Sequence, residues 1–165
     1  MVFSSLTMKL ACEATSASNS YMIVPSYTAQ SASAFDVYLV AVTVSGINQT
    51  CSTADPFSLT FSNSNQLVGY TLLRNTYLYT AAFFPIYTGI YTLNATLNGA
   101  IITPSPVSIT VTPGAIDPNQ CVVSAIPIAT VNVPFDLSVT KKDASGNLVT
   151  TTGNNLTFVV ISKKK

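Results

Sequence analysis

The chain has no histidine and no tryptophan, and only 8% of its 165 residues are charged. Average soluble domains carry roughly 25%. Without histidine the commonest general base is gone, together with Ser–His and Cys–His nucleophilic pairs and most zinc sites. Without tryptophan the preferred stacking platform for sugars is gone. The acids are Glu13, Asp36, Asp55, Asp117, Asp136 and Asp143. Asp36 and Asp136 fall at equivalent places in a repeat described below, so a structural role accounts for both, whereas catalytic carboxylates must share one site. No glycine-rich phosphate loop is present. Arg74 is the only cation between Lys9 and Lys141. The clustered Lys/Arg footprint of nucleic-acid binding is therefore missing. The terminal Lys163-Lys164-Lys165 reads as a solvated end or the edge of a longer chain. No apolar run approaches the roughly 18 residues of a membrane span. The longest, Ala34 to Val44, is interrupted by Asp36 and Thr43 and reads as a strand. Lys9 interrupts the apolar part of Met1 to Ala14, so no clear signal peptide opens the chain; a signal was removed, or the start lies elsewhere. The sequence predicts no enzyme activity and no cofactor.

Ser, Thr and Asn stand where charges would be. Eight Tyr and eight Phe give enough aromatic surface for a folded core, unlike a disordered chain. Three N-x-[ST] sequons, at Asn48, Asn94 and Asn155, combine with the low charge to predict a secreted glycoprotein whose N-linked glycans cover the surface. Alternation from Tyr91 puts Tyr91, Leu93, Ala95 and Leu97 on one face and turns Asn94 to solvent. All three sequon asparagines are expected to be exposed. Cys12, Cys51 and Cys121 match no zinc or redox spacing. Cys12 lies in a linker, and Cys51 follows a strand in a loop expected at the same pole. Two readings stand, separate thiols or a bridge that pins linker to domain; the bridge is favoured. Cys121 is left for a partner outside the segment.

Self-comparison is the most informative step. At a shift of about 100 positions, Asn19 to Gly46 lies over Asn119 to Gly146 without a gap. Phe35-Asp36 meets Phe135-Asp136, and Ser45-Gly46 meets Ser145-Gly146. This pattern predicts residues 1–12 as the last strand of a preceding repeat plus linker, 13–113 as a complete repeat, and 114–165 as the first half of the next. A half sandwich exposes its core and strand edges, so either the polypeptide continues or neighbouring copies complete it. Within the full repeat, strands are predicted near Ser20–Ile23, Ala34–Val44, Phe57–Ser62, Val68–Leu73, Thr76–Phe84, Gly89–Leu97 and Ala100–Val111. No segment has helical apolar periodicity. About seven strands in about 95 residues predicts an all-β, immunoglobulin-like sandwich, with Tyr91 as a tyrosine corner. Asn98-Gly99 predicts a two-residue hairpin turn.

Gly89-Ile90-Tyr91, Asn98-Gly99, Ile102, Ser105-Pro106, Val111, Pro113-Gly114 and Asp117-Pro118, in this order, resemble the end of a filamin-type repeat and the start of the next. The second strand of that family usually ends D-x-x-G-N. Asp143-Ala144-Ser145-Gly146-Asn147 keeps this ending, whereas Thr43 replaces the aspartate in the first copy, and Val107 replaces the usual Phe after Ser-Pro. The resemblance implies tandem seven-stranded sandwiches used as structural or scaffolding modules. It also implies a peptide-accepting groove between Phe57–Ser62 and Val68–Leu73.

Pro113, Gly114, Ile116 and Pro118 form the predicted interdomain linker. Pro113 lacks an N–H, Gly114 permits a left-handed turn, and Ile116 is expected to be largely buried between neighbours. Asp117-Pro118-Asn119 reads as a turn rather than a calcium site, because calcium needs six to eight oxygens and the preceding linker offers only Glu13. The functional expectation is an extracellular structural glycoprotein whose copies or neighbouring repeats assemble into a surface fibre, filament or coat. The alternative is a cell-surface adhesion module that captures a protein partner by strand addition.

Overall fold

A computed structural model describes residues 12–51, 55–124, 133–151 and 157. Every regular element in it is a strand. The elements are β1 (Tyr21–Ile23), β2 (Thr28–Gln30), β3 (Phe35–Val40), β4 (Phe57–Ser62), β5 (Leu67–Val68), β6 (Tyr70–Asn75), β7 (Leu78–Phe83), β8 (Gly89–Leu97), β9 (Ala100–Ile101), β10 (Val107–Thr112), β11 (Val122–Val123) and β12 (Val139–Thr140). One sheet has the order β1-β3-β7-β6 and the other β2-β10-β8-β4-β5, with β9 paired to β8. A separate two-stranded sheet pairs β11 with β12.

The two large sheets form a sandwich because their strands alternate. In β8, Tyr91, Leu93, Ala95 and Leu97 are all fully buried, as the period of two requires. Phe61 centres the core. Its ring lies 5.7 Å from Phe35, 5.1 Å from Phe83 and 4.9 Å from Tyr91. The Tyr91 hydroxyl donates to Tyr87 O and Gln66 Oε1, each at 2.9 Å. Burial pushes this hydroxyl above its ordinary pKa, so it stays protonated and stitches two loops to the core, as a tyrosine corner does. Asn98 and Gly99 both have positive φ, 52° and 78°, and close the β8–β9 hairpin as the Asn-Gly pair predicts.

The structure differs from the sequence reading in three places. Val68–Leu73 is not one strand. Leu67–Val68 pairs with β4 and Tyr70–Asn75 pairs with β7, so the chain changes sheets at Gly69. Ala100–Val111 is also broken in two. Pro104 and Pro106 cannot donate to a ladder, and Ser105 Oγ accepts the Ala95 N–H instead, at 2.9 Å. The third difference is β2, three residues with only Ala29 buried. It pairs parallel to β10 and is too short for alternation to betray it.

Candidate functional site

The candidate site is the joint where the chain leaves the sandwich. Strand β10 stops at Thr112, directly before Pro113-Gly114, which passes beneath the pole formed by the end of β2. Ser31 follows β2 and donates its N–H to Thr112 O at 2.9 Å, which places its hydroxyl at this pole. Gly114 has no left-handed φ, contrary to expectation. It suits a close approach instead, since a Cβ there would lie 3.3 Å from Ser31 O, a tight contact, and 3.7 Å from Asp143 Oδ2.

Asp143 comes from a hairpin that follows β12, in which Lys142 bridges Leu148. Only 1% of this residue is exposed. Its Oδ2 accepts from Ser31 Oγ at 2.5 Å, from Gly114 N–H at 2.9 Å and from Asn147 Nδ2 at 2.9 Å. Oδ1 accepts from the N–H groups of Ser145 at 3.0 Å and Asn147 at 2.8 Å. Burial by itself pushes the carboxyl up. The hydrogen bonds from Ser31, Asn147 and the Gly114 amide outweigh it and hold the pKa at about 2. Asn147 completes the clasp. Its Nδ2 donates to Ile86 O at 2.8 Å, and its Oδ1 accepts the Thr88 N–H at 3.2 Å. One Asp and one Asn from the hairpin thus engage three separate segments of the sandwich pole. Beside them lies an open cleft of about 490 Å³, lined by Asn65, Tyr87, Thr88 and Asn147.

The entry side repeats this geometry with different chemistry. Thr43 N–H donates to Ile47 O at 2.8 Å, and Asp143 N–H to Asn147 O at 3.0 Å. Gly46 and Gly146 have φ of 84° and 82°. Thr15 bridges Thr43 as Ile116 bridges Asp143. Thr43 Oγ1 accepts the Ile47 N–H at 3.2 Å, so it supports its own turn, but it is too short to span a joint. Glu13 supplies the tie instead. Its carboxylate accepts the N–H of Ser45 at 2.8 Å and the hydroxyl at 2.5 Å, and the Ser45 hydroxyl, chief among its donors, holds Glu13 below the usual carboxylate range. A Cys12–Cys51 disulfide joins the same linker to the domain, with 5.9 Å between the Cα atoms. The Cys51 carbonyl accepts from the Arg74 guanidinium, which sits 5.6 Å over the Tyr79 ring. Cys121 is a free thiol.

The predicted linker residues divide. Pro113 and Gly114 lie at the clasp. Ile116 is only half-buried and Pro118 is exposed, so Ile116 does not provide the large apolar contact expected of it; buried hydrogen bonds hold the joint instead. Asp117 Oδ1 accepts the Asn119 N–H at 2.9 Å, which closes a local turn. Asn48 is exposed. Asn94 faces outward but is half-buried rather than open, because β8 lies between β4 and β10 and its Nδ2 donates to Thr60 Oγ1 at 3.4 Å. Asn155 lies outside the described residues. Among the described residues no group of His, Cys, Asp or Glu could hold a metal. Ser31 and Asn147 escaped the sequence reading; Asn147 had a signal in the D-x-x-G-N ending, Ser31 had none.

No protein-family model matches the chain, and no curated protein matches it. Solved structures do. The Lin-41 filamin domain superposes with a TM-score of 0.52 at 22% identity, covering 59% of this chain and 96% of that one. The adhesin FdeC of Escherichia coli gives 0.59 at 24%, covering 84% and 45%. Invasin, described as a bacterial integrin-binding protein, gives 0.54 at 16%, covering 84% and 29%. The chain spans less than half the length of either adhesin. Its fold is that of the filamin-type, immunoglobulin-like β-sandwich.

Proposed function

We propose that this chain is a stiff segment of an extracellular, surface-exposed glycoprotein, built from tandem immunoglobulin-like domains and assembling with its own copies into a fibre or coat. The clasp at Asp143 carries this reading. A buried carboxylate with a full set of donors defines one relative placement of two units, and a placement repeated along an array makes a regular filament. The hydroxyl-rich outer face of the larger sheet, with Asn94 at its centre, suits a glycan-bearing surface. Electron microscopy of native filaments tests the proposal. A regular axial repeat set by domain spacing is expected, and beads with random bends would overturn it. The glycans form a separate prediction. Peptide mass spectrometry of native material should find Asn48 and Asn94 occupied, and a bare Asn94 would count against the secreted reading.

The second reading is adhesion by strand addition. Strand β5 covers only Phe61 and Ser62 of β4. Among the described residues no strand lies on that side over Phe57 to Thr60, and the Leu59 N–H meets the Tyr70 hydroxyl at 3.4 Å. An extended peptide could add there. Saturable binding of a partner by a soluble monomer, lost when Leu59 is replaced by proline, would favour this reading over the fibre.

A further inference from the structure

The strands of the larger sheet carry no charged residue. In the order β2, β10, β8, β4, β5 and β9 they read TAQ, VSITVT, GIYTLNATL, FSLTFS, LV and AI. On the outer face the cross-strand register sets hydroxyls in rows. Ser62, Thr92 and Ser108 form one row, Thr60 and Asn94 the next, and Ser58, Thr96 and Ile101 the one beyond. Asn94 thus has a row of hydroxyls on one side and a row that ends in Ile101 on the other. Ile101 is 66% exposed. It is a diagonal neighbour of Asn94, roughly 7–8 Å away. Asn94 is itself half-buried, so a group attached to its Nδ2 starts at the level of these side chains and not clear of them.

We infer that this face is a carbohydrate seat, occupied by the innermost sugar of a glycan carried on Asn94; the inference rests on the secreted-glycoprotein reading and says where that glycan lies. The sugar bond replaces one Nδ2 hydrogen and leaves the other to Thr60 Oγ1, 3.4 Å away. An N-acetylhexosamine ring is wide enough to bridge the diagonal from Asn94 to Ile101. It has apolar C–H and methyl edges and a rim of hydroxyls. The apolar edge covers Ile101 and removes its side chain from water, and the rim meets the hydroxyls of Thr60, Thr96 and Ser58. A charged partner would lose water here with no counter-charge to replace it. A neutral sugar needs none. Nor does it need a tryptophan platform, because it is tethered at the centre of its own seat. Tethering makes the contact intramolecular, so interactions too weak to capture a free sugar are enough.

A double-mutant cycle on the chain secreted from a eukaryotic host, whose N-glycans begin with N-acetylglucosamine, tests this. Peptide mass spectrometry first reports whether Asn94 is occupied. With the glycan present, Ile101→Ser should lower the melting temperature by about 4–8 °C, the shift that one good apolar contact produces in a domain of this size. In an Asn94→Gln background Ile101 lies in water, and the same change should shift the melting temperature by less than ~2 °C. Trimming the glycan to its first N-acetylglucosamine should keep the whole Ile101→Ser effect, since only the innermost sugar is seated. Nuclear Overhauser contacts should link that sugar to the Ile101 methyl groups. Equal Ile101→Ser shifts with and without the glycan, loss of the effect on trimming, or a first sugar without contact to Ile101 would overturn the seat and leave the glycoprotein reading standing. A bare Asn94 would sink the seat and count against the glycoprotein reading with it.

Discussion

Replacing Asp143 by alanine should release the following hairpin from the sandwich pole while leaving the sandwich core folded. The carboxylate accepts from Ser31, Gly114, Ser145 and Asn147, and alanine would strand these donors in a place that water reaches poorly. Hydrogen bonds to a charged group contribute about 1.5–3 kcal/mol, and an unsatisfied buried donor costs about 1–3 kcal/mol. A loss of about 3 kcal/mol from the closed joint is expected. Hydrogen exchange at the Gly114, Ser145 and Asn147 amides should then accelerate on the order of 100-fold, while Leu93 and Ile109 in the core stay protected. Asp143→Asn preserves shape but turns one acceptor into a donor, so it should lie between wild type and alanine. The pH response follows from the same bonds. The folded pKa of about 2 lies below the ordinary 3.8, so the stabilisation is fully present above about pH 4. It is lost as pH falls through about 2, where the protonated acid accepts less well. The shift corresponds to about 2 kcal/mol. Between pH 5 and 8 Asp143 should confer no pH dependence on the joint. Unchanged exchange at Gly114 in the alanine variant would remove the clasp from the mechanism.

Much of the sandwich was legible because its strongest strands are buried on one side. Phe57–Ser62 and Gly89–Leu97 alternate cleanly, and the structure keeps both with these bounds. What resisted was backbone geometry that side-chain periodicity does not encode. Gly69 carries the chain between sheets with apolar Val68 and Leu72 on either side, so the apolar run looks continuous. The Thr76-Tyr77 turn, with Thr76 at φ 57°, has Asn75 before it but neither Gly nor Asn at its central positions, so its place within the run was not legible. At the joint, the short linker with its Pro-Gly start pointed to a close junction, but apolar Ile116 drew attention to the wrong force. The clasp is polar and joins residues 112 positions apart, Ser31 and Asp143. Such a pairing leaves no local trace. It could be traced only from the hairpin side, where Asp143 and Asn147 frame a glycine turn in one copy and Thr43 replaces the acid in the other.

That replacement bears on the entry joint. There the disulfide should carry the mechanical role that Asp143 has at the exit. Cys12 and Cys51 are 39 residues apart, and closing a loop of that size removes unfolded-state entropy equivalent to about 4 kcal/mol. Cys51→Ser, or reduction, should lower the melting temperature by on the order of 20 °C for a domain of about 100 residues. Two other ties survive the change: Glu13 still accepts from Ser45, and Gln49 Nε2 still donates to Glu13 O at 2.6 Å. These are partly exposed hydrogen bonds, so they should guide the linker without holding it. The Ser16 amide, which donates to Val42 O at 2.8 Å, should lose protection in the serine variant, while Gly114 on the exit side keeps it. Reduction should therefore loosen the Cys12 linker and spare the Asp143 clasp. A melting temperature within a few degrees of wild type, with Ser16 still protected, would show that Glu13 and Gln49 suffice and that the bridge is not what holds the entry linker.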